Sequence, residues 1–182
     1  MKWVTFFSQT GTEIVELSNA LGKTPDLIVT NNSEEKIKYN PELRNLNVVL
    51  QSGSHEQLME YFRHQNIFNP ADTLITLHGY LKIIPEDICS KYEIYNGHPG
   101  YITKYPELKG KDPQVFTWAG TCNGMYPFIG SVVHRVTPGV DEGEVVSVSS
   151  SSNNCNSLEE IYGALKELSL QSWIKFLKEK GL

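Results

Sequence analysis

The sequence holds only three cysteines, Cys89, Cys122 and Cys155, an odd number spread widely along 182 residues. None forms a Cys-x-x-Cys pair, so neither a disulfide framework nor a zinc site is suggested. A reducing, cytoplasmic setting fits best. No apolar run is long enough to span a bilayer. Met1–Phe7 is apolar, but Ser8-Gln9-Thr10-Gly11 cuts it short, so it reads as a buried first strand and not a secretory leader. No block of like charge is present either, and the formal net charge is -5. Nucleic-acid binding generally needs a basic face, so neither nucleic acid nor membrane is an expected partner. The mild acidity reads as solubility.

What is present is ordinary globular material: 40% hydrophobic and 20% charged residues, enough for one domain over 1–182 with a real core. Short β-rich runs alternate with helical patterns. Strands are expected over 3–7, 27–30, 48–51 and 73–77, with another ending at Tyr95. Helices are expected over 11–21, from Ser54 through Phe62, over 85–90 and from Ser157 to about Glu179. The hydroxyl of Ser157 and the acids after it form a capping-box-like start. Ile129–Val136 and Glu144–Val148 read as a hairpin around a loop at 137–143, and the polar 149–154 stretch as a short linker. This alternation implies an α/β, Rossmann-like domain, a mostly parallel twisted sheet with helices on both faces. Ligands on such sheets bind beyond the carboxyl ends of the strands, where 8–13, 78–84 and 96–100 should converge.

Two short motifs carry chemistry. Asn96-Gly97-His98-Pro99 follows an apolar run, and its spacing sets Asn96 and His98 on one side of an extended segment. Val140-Asp141-Glu142-Gly143 lies well downstream between two β-runs. Taken singly, Asn96 is a common turn residue, His98 a structural histidine and Asp141 a loop acid. Together they offer an amide for a developing oxyanion, an imidazole that moves a proton or stabilises the same oxygen, and a carboxylate to hold that imidazole.

These motifs, with Phe6–Glu13, Asp26–Asn31, Leu77–Pro85 and Lys104-Tyr105-Pro106, resemble the folate-dependent formyltransferase family over most of the chain, nearest its glycinamide ribonucleotide branch. The resemblance implies a formyltransferase domain that uses 10-formyltetrahydrofolate as co-substrate, needs no metal, and formylates a small-molecule primary amine, as in purine biosynthesis. It implies Asn96, His98 and Asp141 as catalytic residues. It implies Leu81, Lys82, Ile83, Ile84, Val140 and Asp141 around the folate, and Gly11, Thr12 and Glu13 around the acceptor. His134 matches a family histidine in either a structural or a supporting role. Monomer and homodimer both remain open.

The acceptor side departs from the family pattern. Glu13 stands where the family has an amide, and Lys166-Glu167-Leu168-Ser169 replaces a histidine-bearing motif. Lys109–Gln114 is closer to the methionyl-tRNA and sugar-amine formyltransferases. A carboxylate at the head of the first helix would answer the helix's positive end itself and repel a phosphate. The rival arrangement turns Glu13 to solvent and leaves the Gly11 and Thr12 amides to hold the phosphate. An amino sugar or another small amine is therefore an alternative acceptor, and hydrolysis of the formyl-folate an alternative reaction.

Overall fold

The computed structural model describes residues 1–32, 40–64 and 68–182. Its elements run β1 (Lys2–Phe7), α1 (Thr12–Leu21), β2 (Leu27–Thr30), β3 (Leu50–Ser52), α2 (His55–His64), β4 (Thr73–Leu77), α3 (Glu86–Lys91), β5 (Glu93–His98), α4 (Pro113–Cys122), β6 (Phe128–Arg135), β7 (Val145–Ser152) and α5 (Leu158–Glu179). The seven strands form one sheet in the order β3-β2-β1-β4-β5-β6-β7. Pairing is parallel through β5 and antiparallel for β6 and β7. This is the α/β architecture that the alternating sequence pattern implies.

Both faces are covered. Val4, Phe6, Val29, Ile75 and Leu77 pack on Leu58, Met59 and Phe62 of α2 and Ile88 of α3. On the other face Trp3, Leu74, Tyr95 and Val133 meet Trp173, Phe176 and Leu177 of α5, while Phe7 and Ile28 meet Ile14 and Val15 of α1. β4 is buried along its whole length, which is why its sequence, Thr-Leu-Ile-Thr-Leu, shows no polar alternation.

The strand order reverses at β1, with β2 and β3 on one side and β4 and β5 on the other. The loops after β1 and β4 are joined at this switch point: the Ser8 amide donates to the Gly79 carbonyl and the Leu81 amide to Ser8 Oγ. A cleft is expected at such a point.

Two sequence expectations need correction, and one helix lies beyond them. β5 runs on to His98, so Asn96 and His98 are its last residues and not a loop beyond it. Residues 149–152 are strand: Ser149, Ser150, Ser151 and Ser152 pair with Ser131, Gly130, Ile129 and Phe128. β7 is an edge strand, so its outward residues can be polar without loss of the ladder, and a serine run there mimics a linker. α4 was not foreseen. It starts at Pro113, whose fixed φ suits a first helical turn, and Trp118 packs it towards Ile129, Ile161 and Leu165.

If 149–152 is a strand, amide hydrogen exchange of a peptide covering 147–152 should be clearly slower than that of the 137–143 loop. Equal, fast exchange in both would restore the linker reading.

Candidate active site

The cleft at the carboxyl end of the sheet has a volume of about 550 Å³, in the range that suits an organic co-substrate. Its wall includes Asn96 and His98 from β5, Leu81–Ile84 from the loop after β4, and Pro138–Asp141 from the β6–β7 loop. The catalytic and folate residues expected from sequence are therefore brought together. Gly110–Gln114 also line it, so this divergent segment and the start of α4 form part of the cleft wall.

Asn96 and His98 are two residues apart in one strand and share a face of the sheet. Asn96 pairs across the ladder with His134 of β6. Asp141 comes in over both histidines. Its Oδ2 lies 3.2 Å from His98 Nδ1 and its Oδ1 lies 3.1 Å from His134 Nε2. The Gly110 amide donates to Oδ2 at 2.9 Å. Asp141 has φ 52, a left-handed conformation that aspartate tolerates better than most residues. Two residues later, a Cβ on Gly143 would stand 1.8 Å from the Arg135 carbonyl oxygen. That oxygen lies 2.9 Å from His134 Nδ1, its hydrogen-bonding partner. The glycine in the Asp-x-Gly element thus lets the loop close onto the end of β6.

Hydrogen-bond accounting fixes much of the protonation. Both His98 nitrogens face oxygens, Asp141 Oδ2 and the Leu108 carbonyl at 2.8 Å, so a ring with a proton on each nitrogen satisfies both. His134 likewise presents Nε2 to Asp141 and Nδ1 to the Arg135 carbonyl, so the same accounting puts a proton on each of its nitrogens. Asn96 Nδ2 stands 3.3 Å from His134 Nε2. The amide is satisfied when its oxygen turns to the ring, which directs its NH2 into the cleft. Burial would push the Asp141 carboxyl up. The hydrogen bonds from His134 and His98, the His98 charge and the Gly110 amide outweigh it and hold Asp141 well below the usual carboxylate range.

Where Leu81–Ile84 and Val140 form the lip, it is apolar and open: Leu81, Ile83 and Val140 are 68%, 65% and 55% exposed, whereas Ile84 is buried beneath. Among the described residues, no group of three or more metal-ligating side chains is placed to hold an ion.

Gly11, Thr12 and Glu13 stand apart from this lining. The Glu13 carboxylate neither caps α1 nor turns to solvent, contrary to both arrangements considered from the sequence. It turns inward, 2.7 Å from His78 Nδ1 and 2.7 Å from the Ser169 hydroxyl that donates to it. Burial raises its pKa, but His78, Ser169 and Trp173 more than offset this and leave it lowered. Sequence reading missed His78 and Trp173 in this cluster, together with the Leu108 carbonyl and the Gly110 amide. Main-chain groups carry no side-chain signal, whereas a histidine directly after a fully buried strand is a cue that can be followed.

Similarity to solved structures bears on the fold. Over 100% of this chain and 99% of the other, the fold matches the phosphoribosylglycinamide formyltransferase of Streptococcus pneumoniae TIGR4 at TM-score 0.76 and 20% identity. The corresponding enzyme of Campylobacter jejuni matches at 0.77 and 16% identity, over 100% and 98% of the two chains. The chain has the formyltransferase fold. A formyltetrahydrofolate deformylase from Pseudomonas syringae pv. tomato matches at 0.72 and 14% identity, over 97% of this chain and 60% of the deformylase. No protein-family model and no curated protein matches the sequence.

The low pKa of Asp141 has a definite sign in stability. A carboxyl whose folded pKa is depressed adds stability above its unfolded value of about 3.9 and loses it as pH falls towards the folded one. Asp141→Asn should therefore cost on the order of 3 kcal/mol at neutral pH, because it removes one partner of a buried ionic cluster. The gap between parent and variant should narrow as pH drops below about 4. Denaturant titrations at neutral and acid pH measure it, and a gap that does not vary with pH would contradict the assigned ionisation.

Proposed function

We propose that the chain transfers a formyl group from 10-formyltetrahydrofolate to a primary amine of a small molecule. The observation that carries this is the convergence of Asn96, His98 and Asp141 on a cleft with an exposed apolar lip. A pterin can lie against Leu81, Ile83 and Val140 while main-chain groups of 81–84 read its edge. The fold similarity supports the same reading.

The neutral amine attacks the formyl carbon, and a tetrahedral oxyanion forms. The Asn96 NH2 donates to it. His98, with both nitrogens engaged inside the protein, contributes as a fixed cation held by Asp141. The carbon–nitrogen bond to the folate then breaks. The proton lost by the attacking amine passes to the departing folate nitrogen through water ordered by Asp141. Atoms balance without an oxidant or a reductant.

For the acceptor, glycinamide ribonucleotide, which would place the enzyme in purine biosynthesis, competes with an amino sugar or another amine. Glu13 stays ionised in the first turn of α1, where no side chain caps the helix. Although turned inward to His78 and Ser169, that charge within the first turn still weighs against a phosphate at the helix head and places a neutral or cationic acceptor first. Hydrolysis to formate is the second reading, favoured by the likeness to a deformylase; water would then take the place of the amine.

Supplying 10-formyltetrahydrofolate with glycinamide ribonucleotide, its unphosphorylated riboside or amino sugars, and following the absorbance of released tetrahydrofolate, tests this. The unphosphorylated amines should turn over best. His98→Ala should lower turnover on the order of a hundredfold while folding is kept. Unchanged turnover in that variant would show the roles to be wrong.

A further inference from the structure

The face of β5 opposite the cleft carries a feature that the mechanism does not use. Asn96 and His98 face the cleft, so Gly97 between them faces α5, as Tyr95 does against Phe176. Trp173, fully buried, packs there. A Cβ on Gly97 would stand 2.5 Å from Trp173 Nε1 and 3.0 Å from Cε2, so no side chain fits. The indole edge bears directly on the backbone that joins the two cleft residues.

The indole is held from several sides. Its ring lies 4.8 Å from that of His78. Its N–H makes no hydrogen bond of normal geometry, yet it lies close enough to Glu13 to help keep that carboxylate ionised. Ser169, one helical turn before Trp173, donates to Glu13 at 2.7 Å. Thr76 Oγ1 accepts from Trp3 Nε1 at 2.9 Å and lies 2.8 Å from His78 Nε2. Its hydroxyl proton is then available to His78 Nε2, which leaves the His78 proton on Nδ1, directed at Glu13. Donors thus run from Trp3 through Thr76 and His78 to one carboxylate beside the indole. The helix cannot easily retreat. The Ser172 hydroxyl donates to the Ser131 carbonyl and the Ser147 hydroxyl to the Ser172 carbonyl, while the Ser131 hydroxyl donates to the His98 carbonyl.

We propose that Trp173, packed on His78 and carried by the helical turn that Ser169 ties to Glu13, is a positioning residue of the cleft: its indole edge under Gly97 sets where Asn96 and His98 stand. The inference rests on the formyl-transfer reading of that cleft.

The test uses the full chain with Gly97→Ala, Trp173→Phe and the double variant. Phenylalanine lacks the indole N–H edge that meets Gly97. Two quantities are read: kcat and KM with 10-formyltetrahydrofolate and an amine the parent formylates, and the nitrogen-15 resonances of the His98 ring. Gly97→Ala should lower kcat at least about tenfold, with KM for the formyl donor within about twofold, and should move the His98 signals. The double variant should return both to within about threefold of Trp173→Phe alone. A double variant no better than the two single losses combined overturns the proposal. If Gly97→Ala does not fold, Trp173→Phe and Glu13→Gln should each move the His98 signals, and unmoved signals overturn it. A parent that consumes no formyl-folate would contradict the formyl-transfer reading instead, and the His98 signals would still decide the positioning role.

Discussion

Asp141 is a carboxylate that would not be stable alone where it stands, with a side chain 9% exposed. It is kept ionised by two histidines from adjacent strands and one main-chain amide. Removing any of these leaves a buried charge short of partners. The rest of the site follows from this constraint. β5 and β6 must be neighbours so that His98 and His134 present nitrogens to one acid. The β6–β7 loop must fold back far enough to deliver Asp141, which needs its left-handed backbone and the bare Cα of Gly143. The Leu108 carbonyl must meet the far side of His98, so the chain after β5 has to close over it.

The same arrangement divides the labour within the cleft. His98 has both nitrogens committed inside the protein, which fixes its ring in place. Asn96, linked through His134 to the same acid, offers an NH2 to a reacting oxygen once its own oxygen is turned to that ring. A preorganised donor beside a buried cluster of an acid and two histidines is the kind of electrostatic environment that lowers a barrier without reorganisation during reaction. Polar groups thus line the inner end of the cleft and apolar side chains its lip. That gradient suits a co-substrate with a flat heteroaromatic head and a polar reactive carbon.

Much of this was legible in the sequence. The apolar runs of β1, β2 and β4 and the helical spacing of α1 and α2 place the sheet and its covering. The residues 96–99 and 140–143 place the amide, imidazole and acid. Illegible parts have physical causes. The serine run of β7 looks like a linker because an edge strand does not need apolar side chains on its open face. Contacts through main-chain groups, the Leu108 carbonyl and the Gly110 amide, leave no residue-type signature. Glu13 can be read at the head of α1, but its direction depends on His78 and Ser169, which lie far along the chain in β4's following loop and in α5.

The central claim is that this cleft moves a formyl group to nitrogen. It is tested most directly by the fate of the formyl carbon. Carbon-13 NMR of 10-formyltetrahydrofolate labelled at that carbon, incubated with the protein and the amine acceptors, reads that fate in one spectrum. The account predicts a new formamide resonance that grows as the formyl-folate signal falls. Formate as the sole labelled product, or a formyl-folate signal that persists unchanged, would contradict it.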